Sequence, residues 1–274
     1  MDDTKQSSST SRPYPLLNKK PLISCHHGNV TQPNNIAAAR QIIEKYQDID
    51  IVEIDFIVVD KHVVSSHDYD ANSLLKGSPL HEWIDYIIIE RNLILWIDLK
   101  VRLDVMAYIY DYSVYTASFF MNTLNDIRSY YLENKGIDIM QYTMITCQDK
   151  DTRWQLEQKL HTPTTHEGGI QWLLVYDIPF NTSYIVQYLT PKELQYLVNN
   201  YVYNRFMCYD FSASPIISLD LSFFDNDLDK MARFIYENTT IQHGTMIVIY
   251  NFPLTQKRLT LENYHIIMQY DYPS

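Results

Sequence analysis

Glu53 and Asp55 stand two residues apart in Val52-Glu53-Ile54-Asp55-Phe56. Side chains of a strand alternate between its faces. The two carboxylates therefore share one face, and Val52, Ile54 and Phe56 share the other. Packed on its apolar side, such a strand sends both acids into one site. Like charges that close in a poorly hydrated place are costly unless something offsets them. A divalent cation is the simplest offset, and oxygen ligands favour Mg2+ or Ca2+. The plain alternative is a strand whose acidic side faces water.

A second segment repeats the pattern. In Trp96-Ile97-Asp98-Leu99-Lys100, Asp98 and Lys100 share a face. Asp98 would add a third carboxylate, and Lys100 a point charge for a phosphate oxygen. Taken alone, the segment also reads as an ordinary Asp–Lys pair at a strand end. Two histidine segments complete the set, Cys25-His26-His27-Gly28 and Ser66-His67-Asp68. A pair of imidazoles can serve as general acid and base near neutral pH, whereas a single histidine is more often ordinary polar packing.

These residues need a scaffold, and the chain between them alternates short apolar runs with helical stretches. Strands are expected at Pro21–Cys25, Ile51–Val59, Leu93–Leu99, Met140–Thr146, Ile170–Tyr176, Arg205–Tyr209, Met246–Tyr250 and Tyr264–Met268. Shorter extended pieces are expected at Val63–Ser66 and Ile216–Leu219. Asn35–Tyr46 has Ile36, Ala39, Ile42, Ile43 and Tyr46 at helical spacing. Ser78-Pro79 opens a helix to about Arg91, with Ser as its cap. Two helices are expected over Leu103–Asn134 with a break near Tyr112. Others fall at Lys150–Leu160, Pro191–Asn199 and Leu228–Tyr236. Strands alternating with helices predict a parallel sheet. Eight of them without a dinucleotide-binding glycine pattern favour an α/β fold closed as a (β/α)8 TIM barrel.

Composition bounds the partners. The net charge of -11 argues against nucleic acid, whose phosphates need Lys and Arg. It leaves a small phosphate-containing substrate open, because a metal ion can supply the missing charge. Cys25, Cys147 and Cys208 lie too far apart for a zinc site, and their odd number does not describe a disulfide framework. They read as free thiols of a reducing compartment. The longest apolar runs have strand length, so no transmembrane segment is expected. Residues 1–20 are polar and read as a disordered tail without a signal peptide, which places the expectation in the cytoplasm.

The ordered set His26-His27-Gly28, Pro33-Asn34-Asn35, Glu53-Ile54-Asp55, His67-Asp68 and Asp98-Leu99-Lys100 resembles the glycerophosphodiester phosphodiesterase family. That family belongs to the phospholipase C-like phosphodiesterase barrels. Gln269-Tyr270-Asp271-Tyr272-Pro273 is similar to the T-D-Y-P stretch that follows the family's last strand. The resemblance spans residues 23–273 and implies one barrel domain over 21–274. It implies a metal-dependent phosphodiester hydrolase acting on glycerophosphodiesters or related phospholipid headgroups. His26 and His67 would be its acid and base, and Glu53, Asp55 and Asp98 would hold one Mg2+ or Ca2+. Lys100 and His27 would meet the phosphate. Tyr250 stands where the superfamily often has a Trp at the barrel mouth, although a rim-packing Tyr is the simpler reading.

Several features depart from the family pattern. His27 stands where Arg is usual, and lacks its bidentate fork. Asn34 replaces a Glu. Asp98 replaces a Glu, and this Asp-x-Lys form is similar to the spider-venom sphingomyelinase D branch. About 30 residues separate His67 from Asp98, fewer than the family carries, which implies an open mouth. Two alternatives follow. One is a phospholipase D-like lyase that forms a cyclic phosphate. The other is a catalytically lapsed barrel that binds phosphate ligands.

Overall fold

The computed structural model of the protein describes residues 21–29, 31–67, 76–101, 109–147, 216–239, 246–254 and 259–272, with 152, 155–156, 176–177, 241 and 243 between them. Its strands are β1 (Leu22–Cys25), β2 (Ile51–Val59), β3 (His62–Ser65), β4 (Ile94–Leu99) and β5 (Thr143–Thr146). They continue as β6 (Tyr176–Asp177), β7 (Ile216–Asp220), β8 (Met246–Tyr250) and β9 (His265–Tyr270). All belong to one sheet in the order β5-β4-β2-β1-β9-β8-β7-β6. Every pairing along that path is parallel. β3 alone folds back antiparallel on β2. Because β1 pairs with both β2 and β9, the two ends of the described chain meet in mid-sheet. The sheet curls around this seam as an α/β TIM barrel.

The two faces carry separate cores. Ile23, Val52, Ile54, Ile97, Ile249 and Met268 belong to the large cluster that packs against the helices. Leu22, Ile51, Ile94, Trp96, Val248 and Ile267 belong to a smaller cluster on the opposite face, inside the barrel. Along β2 and β4 the inner positions run from apolar to acidic, Ile51 to Glu53 to Asp55 and Ile94 to Trp96 to Asp98. The barrel floor is thus apolar, and the polar side chains gather at the C-terminal strand ends, where barrel active sites sit.

Helix α1 (Ile36–Lys45) buries Ala38, Ala39, Ile42 and Ile43 against the sheet, and the Asn35 side chain accepts a hydrogen bond from the Ala38 N–H at its start. Gly28 lets this helix come close. A Cβ there would lie 2.9 Å from Ala39 Cβ and 3.0 Å from Ile54 Cδ1, and its φ is +67°.

The structure departs from the sequence expectations in four places. Helix α2 (Leu80–Trp83) begins with Pro79 as its cap and no side-chain hydrogen bond, so Ser78 does not cap it. From Ile84 to Glu90 it widens into a π-helix. Helix α3 is continuous over Ile109–Lys135, with no break at Tyr112, and residues 102–108 lie outside the described residues. The segment 139–142 is a 3-10 turn, and only Thr143–Thr146 of the expected fourth strand is extended. β7 pairs directly with both β6 and β8, so Ile216–Asp220 fills the barrel position that the sequence suggested for Arg205–Tyr209. Residues 205–209 lie outside the described residues, as do the tail 1–20, the helix expected at 191–199, most of the strand expected at 170–176 and Cys208. Helix α4 (Leu228–Glu237) forms as expected. Cys25 and Cys147 are buried free thiols. Among the described residues, no helix is long and apolar enough to cross a membrane.

Gly28→Ala adds a methyl to a closed contact in a left-handed backbone. It should destabilise the fold by about 1–3 kcal/mol, read as a lower urea midpoint with unchanged slope.

Candidate active site

Parallel register assembles the acids. Asp55 of β2 lies opposite Asp98 of β4, and Glu53 opposite Trp96. Glu53, Asp55 and Asp98 are 3%, 0% and 7% exposed, and an oxygen from each lies within 4.8 Å of the others. Lys100 Nζ lies 3.0 Å from Asp55 Oδ1 and also makes an ion pair with Asp98 Oδ2. Asp98 Oδ1 is buried with no hydrogen-bond partner.

The turn after β1 adds the imidazoles. Its backbone enters the left-handed region at His27 (φ 53°) and Gly28 (φ 67°). This points the His27 N–H at Glu53 Oε2, 2.9 Å away. His27 Nε2 lies 3.2 Å from Asp55 Oδ2 and 3.9 Å from Glu53 Oε2. His26 places Nε2 3.7 Å from Glu53 Oε2, and its Nδ1 is 2.7 Å from Asp271 Oδ1.

His67 lies just past β3 and is exposed, its ring centroid 6.3 Å from that of His27. The Ser66 N–H donates to the Asp55 carbonyl and ties this segment to β2. Tyr250 ends β8 and shares by alternation the inner face of Met246 and Val248, with Asp220 as its β7 neighbour.

Burial dominates the electrostatics of this group. It pushes the Glu53 carboxyl up to about 8, against the pull of His26 and with added push from Asp55 and Asp98. It also raises Asp98, although Lys100 opposes it. At Asp55 burial works the same way, but Lys100, His27 and the Asn34 amide outweigh it and hold this carboxyl below its ordinary value. Burial lowers His27 to about 4 despite Asp55, and the charges of His26, Lys100 and His67 lower it further. His26 moves upward: its burial is outweighed by the Asp271 hydrogen bond and the Glu53 charge. Asp271 moves downward through its bond to His26. An ionised Asp271 can only accept, so Nδ1 of His26 carries the hydrogen and Nε2 is directed inward.

The carboxylate donors fit a hard divalent cation. They are all oxygens, they converge, and one of them is a buried orphan. Glu53 also belongs to a second convergent group with His26 and His27.

No family model matches this sequence, and no curated protein matches it. Solved structures do match. A glycerophosphodiester phosphodiesterase from Parabacteroides distasonis superposes with a TM-score of 0.52 at 12% identity, over 93% of this chain and 95% of that one. A protein from Silicibacter pomeroyi assigned as a glycerophosphoryl diester phosphodiesterase gives 0.54 at 11% identity, over 94% and 92%. This chain shares their barrel fold. The likeness covers nearly the full length of each, and at such identity it speaks to fold alone.

Sequence reasoning passed over two residues of the site. Asp271 was noted only as part of a chain-end motif. Its signal was alternation, which puts it on the same face as Ile267 and Gln269. Asn34 was noted only as a lost Glu.

Two outcomes are expected. A carboxyl whose folded value lies above its unfolded one keeps its proton longer in the folded state, so stability falls as pH rises from about 4.5 to about 8. Chelator-treated protein should show this fall in its urea midpoints, and Glu53→Gln should reduce it. Equal pH slopes for both proteins would exclude Glu53 as the source. Asp271→Asn should lower the His26 titration midpoint, followed by NMR of its ring protons. An unchanged midpoint would mean the pair does not form in solution.

Proposed function

We propose that the protein is a metal-dependent phosphodiester hydrolase that cleaves glycerophosphodiesters or related phospholipid headgroups. The observation that carries this reading is the buried trio Glu53, Asp55 and Asp98, converging within 4.8 Å at the barrel mouth beside Lys100 and the paired imidazoles. Burying three carboxylates together has no packing advantage, and a site for a cation gives it a purpose. The fold shared with the two phosphodiesterase structures supports the same reading.

Glu53, Asp55 and Asp98 would hold one Mg2+ or Ca2+, which supplies Lewis-acid charge for the phosphoryl oxygens. Lys100 adds a second positive charge from the side of Asp55 and Asp98, so developing negative charge on the phosphoryl group is met by a preorganised field. His26 acts through Nε2, because Asp271 occupies Nδ1 and keeps the hydrogen there. In its neutral form Nε2 takes a proton, and in its charged form it gives one. His67, on the exposed rim, is the complementary group. One histidine activates water or a substrate hydroxyl, and the other protonates the leaving alkoxide. His27 is held uncharged by burial and contributes a dipole to the substrate phosphate. Tyr250 offers an aromatic face to the headgroup.

The Asp98-x-Lys100 form favours a second reading, attack by the substrate's own hydroxyl to give a cyclic phosphate. Both readings are tested by incubating the protein with glycerophosphocholine, lysophosphatidylcholine and sphingomyelin in the presence of Mg2+ or Ca2+ and analysing the products by 31P NMR. Hydrolysis gives linear monoesters, and the lyase gives a cyclic diester. His67→Ala should lower turnover roughly 10²-fold or more, and excess chelator should abolish it. Full turnover in chelator would remove the metal from the reaction. No turnover of any of these diesters would leave the lapsed phosphate-binding barrel.

A further inference from the structure

Asn34 is 6% exposed and sits in the left-handed backbone region at φ 60°. Four hydrogen bonds converge on it. Its Nδ2 donates to Asp55 Oδ2 at 2.9 Å. Its Oδ1 accepts from the Asp55 backbone N–H at 2.9 Å. Its own N–H donates to the His27 carbonyl at 2.9 Å, and its carbonyl accepts from Ser65 Oγ at 2.9 Å. The amide orientation follows from the pairing, because an N–H of Asp55 can only meet the oxygen.

We propose that Asn34 is the positioning residue of the cation site, clasping Asp55 at two points so that Oδ2 is pinned and Oδ1 is the oxygen offered to the Glu53–Asp98 group. The proposal rests on the cation reading above. The clasp removes the rotational freedom of the Asp55 side chain. Turning the carboxylate would break the bond from Nδ2, and shifting the strand would break the bond to Oδ1. Oδ2 also lies 3.2 Å from His27 Nε2, so it is held from two sides. Oδ1 lies 3.0 Å from Lys100 Nζ, which also pairs with Asp98, whose own Oδ1 is buried without a hydrogen-bond partner. A carboxylate at position 34 could accept from the Asp55 N–H but could not donate to Oδ2. The amide meets both needs at once. Partners that orient a metal ligand in this way are commonly worth 10- to 100-fold in metal affinity.

The positive φ supplies a clean test. Glycine adopts this backbone without strain, so Asn34→Gly keeps both main-chain bonds and deletes both side-chain bonds to Asp55. Mg2+ and Ca2+ are titrated into the full chain by calorimetry. Asn34→Gly should bind the cation about tenfold or more weakly than the unsubstituted protein. Ser65→Ala, which touches the same network but not Asp55, should lower the melting temperature and leave cation affinity unchanged. If Asn34→Gly does not fold, Asn34→Asp decides the matter. It is isosteric, keeps the acceptor and sets a charge against Oδ2, and it should also weaken binding. Affinity that stays the same or tightens in either variant overturns the positioning role, as does an equal loss in Ser65→Ala. Absence of cation binding by the unsubstituted protein overturns this proposal and the cation reading together.

Discussion

Three carboxylates buried at one end of a barrel carry more negative charge than the side chains around them can cancel. Lys100 bridges two of them, and His27 stays neutral beside Asp55. Glu53 is left to hold its proton far above the ordinary carboxylate range. An arrangement of this kind lowers stability, and the rest of the fold must outweigh it. The large outer cluster, where β-branched strand residues meet the helices, does so. The smaller inner cluster does something different. Trp96 and its apolar neighbours fill the inner face beneath the acids and close that side with apolar surface. The same closure that makes the charges costly makes them effective, because electrostatic interactions strengthen as water is excluded.

The seam between β1 and β9 has a second role besides completing the sheet. Its register sets Cys25 beside Tyr270, so the next residues, His26 and Asp271, emerge side by side. Their 2.7 Å contact joins positions 245 apart in the chain. The orientation of the His26 ring therefore depends on the β1–β9 pairing, and a chain that failed to bring these strands together would leave this imidazole without a fixed tautomer. Asn34 performs a comparable task between β1 and β2. It ties the turn after β1 to β2 and, through Ser65, to the segment that leads to His67. Loops that carry chemical groups are thus fastened to the acids themselves.

Much of this was legible beforehand in particular residues. Alternation along Val52–Phe56 and Trp96–Lys100 put Glu53, Asp55, Asp98 and Lys100 on shared faces, and the structure brings those four together. Strand β2 has the bounds its β-branched run implied. The misses have physical causes as well. The Ile216–Asp220 strand looked like a short extended piece because its barrel role comes from pairing with β6 and β8, which a local pattern does not contain. The π-helical turn at Ile84–Glu90 is invisible to a 3.6-residue period.

What the sequence determined by itself was the set of chemically capable side chains and the face each strand residue among them occupies, because a two-residue period is a property of the local backbone. What only the tertiary structure decided was which groups face each other. His26 gained Asp271, Asp55 gained Asn34, and His27 turned its ring toward Asp55. Each of these pairings bridges separate elements, and each depends on sheet register and burial. Burial also decided the protonation states, raising Glu53 and lowering His27, since desolvation is a property of the folded whole and not of any short stretch of chain.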